Sequence, residues 1–294
     1  MHYTGPVVRP PHEMYSVLLE VTVGCTHNAC RFCNFYQDTP FRMAPLTQIE
    51  ADLKEVHRSD PNAKRVYALG GDPFTLSVPK LKKIGTLIRS YLPKANIGTY
   101  ARITSIMPKS VEELKELRSI GFNDLVIGIE SGDDEVLAFM NKGYTSADIL
   151  EQCLKLEQAG INYYVIFLGG LAGHGNGIRN ARNTATVLNQ LHPSHMYMTS
   201  VAVLPGTELY RDVREGRFQE ASELERIQET LELIRQLKNS IMLYGQSIAN
   251  PVNFVANLPE QKEDLIKELE DKIAKFTDRD EKSLRKYRER LRNV

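Results

Sequence analysis

Tryptophan is absent from this 294-residue chain, and cysteine occurs only four times. Four cysteines cannot build a disulfide framework, so an ordinary buried core must hold the fold. Net charge is missing too, because 37 Lys and Arg are matched by 37 Asp and Glu. With no net field to concentrate a polyanion, the composition gives no support to generic binding of nucleic acid or of an anionic membrane. A small neutral or zwitterionic substrate fits better. No apolar run approaches the roughly 20 residues needed to cross a bilayer, and MHYTGPVVRPPHEM has no apolar segment behind a basic one. The expectation is a cytoplasmic protein with no nucleic-acid and no membrane partner.

What is present is globular composition, 42% hydrophobic and 25% charged, in a length that α/β barrels commonly occupy. Six β-rich runs occur: YSVLLEVTV (15–23), RVYALG (65–70), IGTYARI (97–103), DLVIGIE (124–130), YYVIFLGG (163–170) and HMYMTSVAVL (195–204). Between them lie segments with apolar residues three and four apart, such as LTQIEADLKEVHR and SADILEQCLKLEQAG. Thr47, Ser110 and Ser146 stand where helix N-caps belong, and Gly121 and Gly160 just past helix ends. Alternating strands and helices predict an α/β fold, a partial (β/α)6 TIM-type barrel over 1–220 followed by a mostly helical extension over 221–294. In the extension, IMLYGQSIANPVNFVANLP is read as packing under the barrel or closing its mouth, and the charged run from Glu260 as a solvated helical face.

The clusters that carry chemistry follow strands. They are Cys25 to Cys33, Gly70 to Pro73, Glu130 to Gly132 and Gly169 to Gly173, which predicts one site at the carboxyl ends of the strands. VTVGCTHNACRFCNFY spaces three cysteines as C-x4-C-x2-C, while Cys153 lies in an amphipathic helix and reads as a small buried hydrophobe. Three thiolates leave one iron of a four-iron cluster open to a non-protein ligand. A Zn2+ site of Cys25, Cys30 and Cys33 with His27 or a distant histidine is the competing reading.

With these strand ends, the chain resembles the radical S-adenosylmethionine (SAM) superfamily, whose usual motif, C-x3-C-x2-C, is one residue shorter. The stretch VIGIESGDDEVLAFMNKGYTSAD looks like the branch that contains the oxygen-independent coproporphyrinogen oxidases and the B12-binding-domain proteins. The resemblance spans roughly residues 15 to 220. It implies a [4Fe-4S] cluster on Cys25, Cys30 and Cys33, with SAM as the fourth ligand. It further implies Phe32 beside the adenine, backbone of Gly70, Gly71, Asp72 and Pro73 on the SAM amino group, and Glu130 on the ribose hydroxyls. Lys142 would pair the methionyl carboxylate, and the backbone around Leu168 and Gly169 would pass the adenine.

Read as a strand, YARITSI puts Arg102 and Thr104 on one face and Ile103 and Ser105 on the other. Arg102 and Ser105 join the expected SAM contacts, and Arg102 is a candidate for a carboxylate of SAM or of substrate. The resemblance implies reductive cleavage of SAM to a 5′-deoxyadenosyl radical acting on a small-molecule substrate, fed by an electron donor such as flavodoxin or ferredoxin. Tyr36, Arg42, Arg102, His174, Tyr197 and Asn250 are candidates to face that substrate. No second cysteine set, B12 domain or basic extension is seen in the chain, which favours a minimal enzyme over methylthiotransferase or cobalamin-dependent methylase chemistry. A haem-binding or haem-chaperone protein of the same fold is the alternative from a different class, and a Zn-binding module is the third.

Overall fold

The computed structural model describes residues 1–292, so positions 293 and 294 of the extension lie outside the described residues. In chain order the strands are β1 (Val17–Glu20), β2 (Thr22–Val23), β3 (Arg42–Met43), β4 (Arg65–Leu69), β5 (Asn96–Ala101), β6 (Phe122–Glu130), β7 (Asn162–Gly169), β8 (His195–Ser200), β9 (Ile241–Tyr244) and β10 (Val255–Leu258). The helices are α1 (Leu46–Ser59), α2 (Val78–Tyr91), α3 (Ile103–Ile106), α4 (Val111–Ser119), α5 (Asp134–Phe139), α6 (Ser146–Gln158), α7 (Gly177–Leu188), α8 (Glu208–Arg214), α9 (Glu223–Gln236), α10 (Lys262–Ala274) and α11 (Asp278–Arg288). All six predicted strands form, the first broken at Val21 and the last ending at Ser200.

The chain divides into two compact units. The first comprises Met1–Asn28, Phe35–Gly128 and Gln152–Tyr163, and the second Ala29–Asn34, Ile129–Glu151 and the chain from Tyr164 onward. In the first unit β1, β4, β5 and β6 pair in parallel in that order, so their carboxyl ends share one edge. Val66, Ile97, Leu125 and Ile127 from these strands are buried, as are Ile49, Leu81, Ile84 and Leu117 from the helices. Ser110 forms the predicted cap of α4 as a full capping box with Glu113. Two other caps differ from expectation. Thr47 lies inside α1, which starts after Pro45. Ser146 is the first residue of α6, and the neighbouring Thr145 exchanges hydrogen bonds with Asp148 instead. A serine or threonine one or two positions away from the cap satisfies the same local pattern, so sequence alone misplaces it by that much.

At the amino ends of these strands Glu13 accepts hydrogen bonds from Arg65 and Ser16, and Arg65 also pairs with Asp124. A Cβ on Gly98 would lie 2.3 Å from Arg65 Nη2, so the guanidinium requires glycine there. Burial pushes the Glu13 carboxyl up, but bonds from His12, Arg65 and Ser16 and the Arg65 charge outweigh it and hold it at about 2. A depressed carboxyl contributes stability above its unfolded pKa and loses it as pH falls through the folded one. Urea midpoints are therefore expected to fall between pH 4.5 and pH 2, and a Glu13→Gln variant, already less stable at pH 7, is expected to show a shallower fall.

In the second unit β7, β8 and β9 pair in parallel, and β10 returns antiparallel to β9. The stretch read as packing against the barrel thus forms two further strands. Val165, Phe167, Met196, Met198 and Leu243 are buried, as are Ala181, Leu188, Ile227, Leu231 and Ile234 from α7 and α9. The charged tail is not merely a solvated face. Glu281 of α11 accepts from the backbone N–H groups of Glu223 and Leu224 at the start of α9, and Arg288 is buried in a bidentate pair with Glu223. Among the described residues, no helix is long and apolar enough to cross a membrane.

Candidate cofactor site

The cysteine loop starts directly after β2. None of the four cysteines is in a disulfide; Cys25, Cys30 and Cys33 are partly exposed and Cys153 is buried. Cys153 lies fully buried within α6 and burial pushes its thiol pKa well up, which fits the small-hydrophobe reading. Among the described residues no group of three or more His, Cys, Asp or Glu side chains is drawn together to hold a metal ion. The ligand set therefore rests on the spacing and on the chemistry of three accessible thiols, a donor set suited to an iron–sulfur cluster.

Asn28, between the first two cysteines, shapes the loop. Asn28 takes a left-handed φ of 43°, a region asparagine tolerates better than most residues, and its side-chain amide donates to Tyr36 O at 2.7 Å. In the first unit the loop is also held by Thr26, whose hydroxyl donates to Asp72 at 2.8 Å. In the second unit, Asn141 donates to Ala29 O, Arg31 N–H donates to Met140 O, and the Arg31 side chain pairs with buried Asp212 at 2.8 Å.

At the end of β4 the glycines are demanded by packing. A Cβ on Gly70, whose φ is +146°, would fall 1.9 Å from Thr22 Oγ1, and one on Gly71 would meet Tyr36 Cε2 at 2.6 Å and Gly24 O at 2.7 Å. The Gly24 carbonyl is backbone that already accepts from the Gly71 N–H, so it has little freedom to move aside. A Gly71→Ala variant is expected to lose about 1–3 kcal/mol, read as a lower urea midpoint at unchanged slope.

Asp72 is fully buried and accepts from Ser105 at 2.5 Å as well as from Thr26. Burial raises its pKa against those bonds and the nearby Arg102 charge. The alternation expected for YARITSI does not occur, because β5 ends at Ala101 and Ile103–Ile106 is a helical turn. That turn is what brings Ser105 to Asp72, while Arg102 bonds Thr104 at 3.0 Å. Pro73 is buried at the start of a short 3-10 turn.

In the second unit β6 ends on a strained residue. Glu130 has φ +63°, and Ser131 N–H donates to Ile129 O across it at 2.8 Å, which is the rarer, strained form of γ-turn. Such backbone costs about 1–3 kcal/mol and persists where its surroundings enforce it. The turn directs the Glu130 carboxylate to the buried Lys142 ammonium at 3.3 Å. Lys142 Nζ also stands 5.6 Å from the ring centre of Phe32 and 5.5 Å from that of Tyr144. Three predicted contacts, Phe32, Glu130 and Lys142, are thus brought together, and Tyr144 joins them. The spacing in NKGYT could have flagged that tyrosine, two residues beyond a buried lysine.

Leu168 is buried in an apolar cluster with Val136, Met140, Leu171 and Val201, against which Phe32 packs. The Gly169 carbonyl accepts from Val201 N–H and from Arg226, and Gly170 N–H donates to Glu229. The substrate candidates each have local partners. Tyr36 is buried, Arg42 bonds Thr4, His174 pairs with Glu225 and Tyr197 stacks on Tyr244. Asn250 donates to the Met198 and Gly245 carbonyls, which closes a loop. Sequence reasoning missed the buried Lys109, which donates to the carbonyls of Phe74 and Ser105 and whose pKa burial lowers to about 8.

Comparison with known proteins adds the following. The model of the radical SAM superfamily matches residues 19–181. A protein named heme chaperone HemW from Bacillus subtilis (strain 168) is 26% identical over 201 residues, covering 66% of this chain and 52% of that protein. A tRNA-2-methylthio-N(6)-dimethylallyladenosine synthase from Syntrophus aciditrophicus (strain SB) is 26% identical over 236 residues, covering 76% of this chain and 49% of that one. The chain spans about half the length of these relatives. The solved structure of coproporphyrinogen III oxidase (HemN) from Escherichia coli has a TM-score of 0.56 at 19% identity, covering 75% of this chain and 52% of that one. The mostly parallel α/β, partial-barrel class read from the sequence stands.

Proposed function

Because the chain belongs to the radical SAM superfamily, we propose that it is an enzyme that holds a [4Fe-4S] cluster on Cys25, Cys30 and Cys33 and cleaves SAM reductively. When bound, the cluster supplies the electron that breaks the bond between sulfur and C5′ of SAM. The remaining work, binding and orientation, falls to the protein. The observation that carries the reading is the packing of Lys142 between two aromatic rings and against Glu130.

An ammonium has three donors, so Lys142 can keep Glu130 and still offer a point charge to the methionyl carboxylate. The Glu130 carboxylate retains lone pairs for the ribose diol. Phe32 offers a ring to the adenine, beside the apolar cluster that contains Leu168. In the first unit both Asp72 oxygens are already engaged by Ser105 and Thr26, which leaves the backbone of Gly70 and Gly71 for the amino group.

The substrate in this reading is a small molecule, and the reductant a carrier such as flavodoxin or ferredoxin, in a cytoplasmic setting that keeps the thiols reduced. The test is anaerobic reconstitution, dithionite reduction, SAM addition and chromatography. Release of 5′-deoxyadenosine is expected, and its absence from a fully loaded sample overturns the reading. Identity to a named haem chaperone favours a second reading, in which the same chain takes up haem and releases no 5′-deoxyadenosine. Zinc in place of about four irons per chain would instead identify a zinc module.

A further inference from the structure

The second unit holds a cluster of buried polar groups to which the proposed SAM contacts assign no role. Arg226 and Glu229, one turn apart on α9, are both fully buried, as are Asn180 and Thr184 on α7 and Ser131 after β6. Glu229 Oε1 accepts from Asn180 Nδ2 at 2.7 Å, and Oε2 accepts from Gly170 N–H at 2.5 Å. The Asn180 carbonyl oxygen in turn accepts from the Ser131 hydroxyl. Ser131 Oγ receives Asp133 N–H at 2.9 Å, and Thr184 Oγ1 receives Gly132 N–H at 2.8 Å. Arg226 Nη1 donates to the carbonyls of Gly169 and Val201.

The glycines on both sides are shaped to this cluster. A Cβ on Gly170, where φ is +78°, would fall 2.0 Å from Arg226 Nη1, and one on Gly132 would fall 2.6 Å from Thr184 Cα. One carboxylate therefore ties together the turn that presents Glu130 and the backbone that follows β7, about forty residues later in the chain.

We propose that Glu229 is a positioning residue for SAM, fixing the Glu130–Ser131 turn and the Gly169–Gly170 backbone in register with each other through Asn180. The proposal rests on the reading that these two segments contact SAM. Both oxygens of Glu229 are acceptors in this arrangement, and a glutamine at that position must turn its NH2 toward one of the two donors. The mismatch is repaired if the partner is exchanged as well. With Asn180→Asp added, the amide at 229 donates to the new carboxylate, its carbonyl accepts from Gly170, and Ser131 keeps its acceptor.

The charged groups nearest the carboxyl are Arg226 and Glu225 on its own helix, with Glu220, Glu223 and Arg288 around Arg226. Burial pushes the Glu229 carboxyl up to about 7, against the pull of Asn180, the Gly170 amide and Arg226. Protonation removes an acceptor, so SAM affinity should fall as pH drops below about 7.

The experiment uses the full chain in three forms: wild type, Glu229→Gln, and Glu229→Gln with Asn180→Asp. Iron content, SAM dissociation constants by equilibrium dialysis from pH 6 to 8.5, and amide hydrogen exchange of the cluster-free chain are measured. Expected is unchanged iron, SAM binding weakened about tenfold in Glu229→Gln, as for groups that orient a ligand's contacts, and faster exchange over 129–133 and 168–171. The double variant is expected to recover both. Loss of the pH dependence in Glu229→Gln would assign it to this carboxyl. Wild-type affinity in Glu229→Gln, or a double variant that recovers neither property, overturns the proposal. A wild-type chain that loads iron yet binds no SAM overturns the functional reading instead, and the exchange data still decide whether the bridge holds the two segments.

Discussion

Replacing Cys30 with alanine is expected to abolish cluster binding, taking reconstituted iron from about four atoms per chain to near zero. With it go SAM cleavage and the visible absorption of the cluster. Two thiolates rarely hold a cubane, and Cys153, fully buried within α6, cannot substitute. The fold should be indifferent, because Cys30 is a partly exposed loop residue outside the core. Surface changes of this kind stay within about 0.5 kcal/mol. Iron and sulfide analysis beside a urea titration separates the two effects. A Cys30→Ala chain that loads normally would dismiss the ligand assignment, whereas a Cys153→Ala chain is expected to load like wild type.

The second large effect concerns stability. Arg288 grips Glu223 through Nε at 2.7 Å and Nη2 at 2.6 Å, and Nη1 donates to the Val201 carbonyl at 3.1 Å. Glu223 is fully buried. An Arg288→Ala change leaves that carboxylate without its bidentate partner, and breaking one side of a buried ion pair costs about 3–5 kcal/mol. For a chain of this size the melting temperature should drop on the order of 10 °C. Arg288→Lys is expected to recover only part of this, because an ammonium cannot make the two parallel bonds. Arg288→Met combined with Glu223→Leu should recover most of it, since an apolar pair of similar volume is often neutral. Calorimetry of the three variants checks the order, and a silent Arg288→Ala would show that the pair contributes nothing.

Both outcomes bear on what could be read from the chain. The strands and main helices were legible because burial leaves its mark on the sequence: β7 is a nearly continuous apolar run, and every third or fourth residue of α9 is apolar. The candidate site was legible where residues are neighbours in sequence to a strand end, as with Phe32, Glu130 and Lys142. It was not legible where conformation decides. Nothing in CTHNAC announces that Asn28 takes the left-handed turn, and YARITSI has the alternation of a strand although its second half is helical. Nor can composition distinguish a charge that faces water from one that meets a partner sixty residues away. Arg288 and Glu281 were read as solvated for that reason, and the Asn180–Glu229 bridge joins helices whose local patterns are those of ordinary amphipathic segments.

The turn at Glu130 sets two selective pressures against each other. Glycine adopts a φ of +63° without penalty but leaves the buried Lys142 ammonium without its carboxylate, so a library varied at both positions and sorted only for heat resistance should enrich glycine at 130 together with an apolar residue at 142. The same library sorted for retention of SAM should return glutamate, at lower thermal resistance. A position where the two sorts disagree marks a residue kept for what it binds and not for what it holds together.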